Sequence, residues 1–146
     1  MISSNSILEI NIKNLIYNYK NLKKIAKNTD VAATIKANGY GIGDKIAFKT
    51  LYNLGCRHFF VATNLEGINL RKFYKKGYIY VLNGLEENNI KIYKENNLIP
   101  ILNSKNELLK IIDKRIKFGL HFDTGLNRLG LSNNSLPKNI YNNSDI

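Results

Sequence analysis

Five short apolar runs, over residues 31–35, 58–62, 78–82, 98–102 and 116–122, restrict what this chain can fold into more than any other feature. Each is of strand length and largely apolar, the pattern of strands covered on both faces in a parallel sheet. Parallel strands cannot be joined by tight hairpins and need a crossover of roughly a dozen residues or more. The stretches between the runs have that length and helical spacing, so the chain reads as repeated βα units.

The helical stretches have recognisable starts. Leu15, Ile16, Tyr19, Leu22 and Ala26 recur at three- and four-residue spacing behind Asn14, a candidate cap, and Asp44 stands likewise before Ala47, Leu51 and Leu54. Ser104 and Glu107 form a capping box ahead of Leu108, Leu109, Ile111 and Ile112. Asn64 and the acidic pair Glu86 and Glu87 mark two more first turns, where negative charge suits the positive end of the helix dipole. Five such units fit either an open doubly wound sheet or an incomplete (β/α)8 barrel of the TIM type, and in both the chemistry collects at the carboxyl ends of strands. Residues 7–12 alternate Leu8, Ile10 and Ile12 with Glu9 and Asn11 and read as an early strand without an evident mate.

At 146 residues, 44% hydrophobic and 23% charged, the chain has the composition of one folded domain with a core. Its net charge of +11 raises the question of a nucleic-acid partner. The lysines are scattered over helical polar faces, with only Lys23-Lys24 and Lys75-Lys76 as short clusters and no Arg-rich run, so a solvated basic surface is the reading and no nucleic acid is expected. No run approaches the length of a membrane span and the first residues lack a basic, then apolar, leader; a cytoplasmic protein is expected. A lone cysteine, Cys56, excludes an intrachain disulfide and reads as a packing residue. With two histidines it makes no recognised metal set, so no metal is expected.

Two stretches carry candidate chemistry. In TIKANGYGIG, Lys36 ends a buried run and is followed by Gly39, Gly41 and Gly43, which let backbone approach a ligand closely. An amine held there, out of bulk water, could form a Schiff base; the plainer alternative is a lysine that only reaches out to solvent. The glycine spacing matches neither the dinucleotide fingerprint nor the P-loop. In HFDTGLNRLG, Arg128 lies between Gly125 and Gly130, where it can pair bidentately with an anion or serve as an ion-pair partner of Asp123. His121 and His58 read as hydrogen-bonded histidines inside strand runs.

Together these residues resemble the alanine racemase family of fold-type III pyridoxal phosphate enzymes. The likeness runs through Lys36-Ala37-Asn38, Tyr40-Gly41 and Gly43, then Phe60-Val61-Ala62 with Glu66 and Leu70-Arg71, then Val81-Leu82-Asn83-Gly84, and finally Asp123-Thr124-Gly125 and Asn127-Arg128-Leu129-Gly130. It implies a (β/α)8 barrel with pyridoxal phosphate in its mouth and alanine as substrate. Lys36 would be the Schiff-base lysine and one of two catalytic bases, Tyr40 a phosphate contact, and Arg128 a contact to the cofactor's phenolic oxygen and the substrate carboxylate. The family's second base, a tyrosine from the C-terminal domain of the partner subunit in a homodimer, has no candidate here.

The family pattern is departed from in three places and in length. Gly39 stands for the usual alanine, Ile42 for a histidine, and His121 for a lysine that helps hold the arginine. The family's chains are more than twice as long, so the expectation is the N-terminal part of the barrel domain, about five βα units without the C-terminal β domain, from a truncated or split gene. The early strand over residues 7–12 would then pack with the missing domain, a second chain could supply the missing part, and the fragment alone would be inactive. The alternatives are a pyridoxal phosphate carrier module without turnover and a non-functional remnant.

Overall fold

A computed structural model describes residues 6–86 and 90–132. Five strands, β1 (Ala33–Thr34), β2 (His58–Val61), β3 (Tyr78–Val81), β4 (Leu98–Leu102) and β5 (Gly119–Leu120), form one sheet in the order β1-β2-β3-β4-β5. Every adjacent pair is parallel. A doubly wound sheet reverses its strand order at a switch point, and this one never does. With crossovers of one hand, an unreversed order puts all the helices on the same face, which is the winding of a barrel. The described chain is therefore an incomplete (β/α)8 barrel of five units.

The helices are α1 (Ile12–Ala26), the short element α2 (Lys36–Tyr40), α3 (Asp44–Asn53), α4 (Asn64–Arg71), α5 (Ile90–Glu95) and α6 (Lys105–Ile111). The early strand expected over residues 7–12 does not form: Ile12 already opens α1, and residues 7–11 join no ladder. Alternation gives a segment two faces, but a strand exists only through its partner. Ile7 and Leu8 are 96% and 73% exposed. The cap of α1 is Asn11, not Asn14, because the Asn11 side chain accepts from the Asn14 N–H at 3.2 Å and starts the helix one turn earlier. Asp44 is likewise the first helical residue of α3, after Gly43 at the cap. The Ser104 box before α6 forms as expected, and an equivalent box, Thr63 with Glu66, starts α4. The first turn expected around Glu86 and Glu87 lies partly outside the described residues.

One face of the sheet is the core. Phe59, Val61, Ile79, Val81, Leu98 and Leu102 are buried and cluster with Tyr19, Phe48, Leu51, Leu70, Tyr93, Leu108 and Ile111 from the helices. The alternate residues face the other way. His58, Phe60 and Tyr80 are half-buried and Tyr78 is exposed, and their rings stack at centroid distances of 4.7–5.8 Å. Burial on both faces, expected from the apolar runs, holds in β4, where Ile99 on the second face is buried too, whereas over β2 and β3 that face is only partly covered.

Arg71, only 6% exposed, ties α4 to the bottom of the sheet. Its five N–H groups donate to the carbonyls of Tyr74, Lys76, Gly77, Asn96 and Asn97 at 2.8–3.3 Å, so every donor of the guanidinium is used. Cys56 is buried as expected, its thiol near the Val31 and His58 carbonyls.

Candidate active site

The carboxyl ends of all five parallel strands lie at one end of the sheet. Lys36 leaves β1 there, after the Ile35 N–H has made a last bond to the Phe60 carbonyl at 2.9 Å. The chain then makes a left-handed turn. Ala37 (φ 50°, ψ 52°), Asn38 (φ 53°, ψ 45°) and Gly39 (φ 62°, ψ 36°) are followed by Tyr40 at φ 53° and Gly41 at φ 92°. Three of these five carry a Cβ, and a left-handed conformation costs each about 1–2 kcal/mol.

Local bonds oppose that cost. The Gly39 N–H donates to the Ile35 carbonyl at 2.9 Å, and the Asn38 carbonyl accepts from Gly41 and Gly43 at 3.1 and 2.9 Å. The Asn38 side-chain oxygen also accepts from the Asp44 N–H at 3.2 Å, joining the turn to α3. Gly39 is needed for space as well as for φ: a Cβ there would lie 3.2 Å from the Asp44 nitrogen. Glycines read from sequence as room for a ligand thus serve first to wind the backbone.

Glu66 fastens the turn to the next unit. One carboxylate oxygen accepts from the Ala37 N–H at 2.8 Å, and the other from Ala62 at 2.7 Å and Thr63 at 3.4 Å. Glu107 repeats the construction two strands on, taking the Leu85 N–H at 2.9 Å and those of Asn103 and Ser104 at 2.6 and 3.0 Å. The T-x-x-E pattern from Thr63 to Glu66 was available in the sequence as a capping signal, but its second bond crosses strands and has no local trace.

At the far edge, the loop after β5 closes on itself. Leu131 donates to the His121 carbonyl at 2.7 Å and Asp123 donates to that of Leu131 at 3.0 Å. The Asp123 carboxylate accepts from the Gly125 and Asn127 N–H groups, both at 3.0 Å. Those bonds, Asn127 first, hold its carboxyl below the usual value. Among the described residues no ion pair joins Asp123 to Arg128, which is exposed in the loop. His121 is half-buried, its Nδ1 2.8 Å from the Asn103 side-chain oxygen. The Asn103 amide nitrogen donates to the Leu82 and Ile101 carbonyls, so the network assigns the His121 proton to Nδ1. Asn103, missed in the sequence, therefore links the ends of β3, β4 and β5.

Lys36 and Arg128 sit at opposite edges of the sheet, four strand spacings or about 19 Å apart along it. In a ring of eight strands, the first and fifth face each other across the mouth. Tyr40 ends the left-handed turn at the same end of the sheet and is 65% exposed.

The chain matches the family described as alanine racemase, N-terminal domain, over residues 10–143. It belongs to that family. An alanine racemase from Rickettsia canadensis is 43% identical over 150 residues, which cover 95% of this chain and 41% of that protein. One from Rhizobium meliloti is 38% identical over 136 residues, 90% of this chain and 36% of the relative. Among solved structures, the Bartonella henselae alanine racemase with covalently bound pyridoxal phosphate superposes with a TM-score of 0.79 at 31% identity, over 91% of this chain and 39% of that one. The crystal structure of alanine racemase from E. faecalis, at 24% identity and a TM-score of 0.75 over 84% of this chain and 35% of that one, shares the fold. The chain thus spans about two-fifths of the length of the alanine racemases it matches.

Proposed function

We propose that this chain is the cofactor-holding part of an alanine racemase, a pyridoxal phosphate enzyme that interconverts L- and D-alanine. The observation that carries the proposal is a donor set at one end of one parallel sheet: the Lys36 amine, the Tyr40 phenol and the Arg128 guanidinium. None of the three is engaged by a protein hydrogen bond or ion pair among the described residues. Pyridoxal phosphate presents an aldehyde, a phosphate and a phenolic oxygen, which call for an amine, a hydrogen-bond donor and a cation. The residues fit the group.

When bound, the cofactor withdraws electrons from the attached amino acid and acidifies its Cα proton. Lys36 would hold the cofactor's aldehyde through Nζ and, once displaced by the substrate amine, remove or return the Cα proton on one face. Tyr40 would donate its hydroxyl to the phosphate. Arg128 would hold the phenolic oxygen and the substrate carboxylate, both anions that suit its fork of donors. Glu66 and Asn103 stand behind these groups and keep the strand ends in register.

Racemisation needs an acid/base group on each face of Cα, and Lys36 is one. The family's tyrosine has no counterpart in this sequence, so turnover is proposed for the chain joined by the further barrel and C-terminal segments that its relatives carry, in a dimer. The product would supply D-alanine to cell-wall precursors in the cytoplasm.

The test is to add pyridoxal phosphate to the folded chain, reduce with borohydride and map the adduct by peptide mass. An adduct at Lys36, lost in Lys36→Ala, is expected. Labelling spread over surface lysines with none at Lys36 would overturn the reading. No alanine racemisation is expected from the chain alone; turnover would show that a second base lies within it.

A further inference from the structure

We infer that Glu66 is the positioning residue of Lys36: its carboxylate ties the left-handed turn that follows the lysine, at the end of β1, to the end of β2. Three N–H groups converge on its two oxygens, those of Ala37, Ala62 and Thr63, at 2.8, 2.7 and 3.4 Å. Ala37 is the residue directly after Lys36 and the first in the left-handed conformation. Bonds from an N–H to an ionised acceptor are about twice as strong as neutral ones, so this contact is of the size needed to offset the backbone cost of a Cβ-bearing left-handed residue.

Capping and positioning make different demands on the side chain. A capping box works with glutamate or glutamine, because it needs one acceptor for the N-cap N–H. Gripping Ala37 and Ala62 together needs two acceptors facing two sets of donors. Glutamine has one, and its amide nitrogen would be turned against an N–H group. Glu66→Gln therefore separates the roles. Glu107, with the same capping box and the same reach to the preceding loop, at Leu85, is an internal control far from Lys36 in the strand order.

The experiment compares wild type, Glu66→Gln and Glu107→Gln by amide exchange without cofactor and by the rate of borohydride-trapped adduct at Lys36 with pyridoxal phosphate. Glu66→Gln is expected to unfold cooperatively, to speed exchange over residues 37–43 by about tenfold, and to slow trapping at Lys36 by a similar factor. Glu107→Gln should speed exchange near Leu85 and leave residues 37–43 and the trapping rate as in wild type. Unchanged exchange over residues 37–43 in Glu66→Gln overturns the inference, as does equal loosening by Glu107→Gln, or faster exchange with an unaltered trapping rate. Loss of cooperative unfolding in Glu66→Gln would also overturn it, by assigning Glu66 to the folding of the whole unit. The trapping arm rests on the proposed function, whereas the exchange arm does not. A wild-type chain without a Lys36 adduct would thus sink the cofactor reading and leave Glu66 to be decided by exchange.

Discussion

Cys56 and Asp123 show how position sets the behaviour of single groups. Burial pushes the Cys56 thiol above its usual range, so little thiolate forms near neutral pH. Its alkylation by iodoacetamide at pH 8 is expected to be slow in the native chain and to reach the rate of a free thiol only on denaturation. Asp123 is shifted the other way, below its ordinary value of 3.8, chiefly by the N–H groups of Asn127 and Gly125. A carboxyl whose pKa is lower folded than unfolded binds fewer protons in the native state, so its contribution is full above the unfolded value and is lost as pH falls through the folded one. Exchange protection of the Gly125 and Asn127 amides should therefore persist at pH 5 and vanish only below about pH 3.8, while Asp123→Asn removes that dependence. Arg71 belongs to the same scale. Arg71→Ala strips five part-buried carbonyls of their donor and is expected to lower stability by about 3 kcal/mol in urea unfolding.

Among the elements, the units are started by boxes and ended by glycine-dependent loops. Ser104→Ala should cost about 1 kcal/mol, the ordinary loss of a helix cap. Gly130 is less forgiving. At φ 115° its added Cβ would lie 2.7 Å from the Asp123 nitrogen and 3.0 Å from the Phe122 carbonyl carbon, both backbone atoms that cannot step aside. Gly130→Ala is expected to break the bridge between Phe122 and Leu131, to cost about 1–3 kcal/mol, and to loosen the loop that carries Arg128. Amide exchange at Leu131 reports the bridge directly. The Ser104 capping box was legible in the sequence because its bonds span three residues. The left-handed turn was not: KANGYG shows glycines, but only the bonds to Ile35 and Glu66 require Ala37 and Asn38 to wind the same way.

Across the whole molecule, charge and sheet order are the governing features. A net charge of +11 on lysines scattered along the chain gives a diffuse positive field. Binding to heparin or duplex DNA should be independent of sequence and fall away as salt is raised, which a fluorescence-anisotropy titration at two salt concentrations would check. Sequence-dependent binding that survives high salt would refute it. The unreversed strand order leaves β1 and β5 as the edges of a curved arc, and puts Lys36 and Arg128 at those edges. The carboxyl end of every strand between them lies on the site side, so one end of the fold gathers the candidate chemistry.

The βα repeat, the core-facing helices and the two loops bearing Lys36 and Arg128 could be read from residue order, because hydrophobic period and capping are local properties of a chain. Strand 98–102 was bounded correctly for that reason, since apolar residues fill it and turns flank it. The choice of a barrel arc over a doubly wound sheet could not be read so, because it depends on which strand lies beside which. Nor could the fate of residues 7–11, where alternation was present and a ladder partner was not. Glu66 and Asn103 entered the site on the same ground: their bonds cross from one unit to the next, and spacing along a chain does not encode a contact between segments until the sheet has brought them side by side.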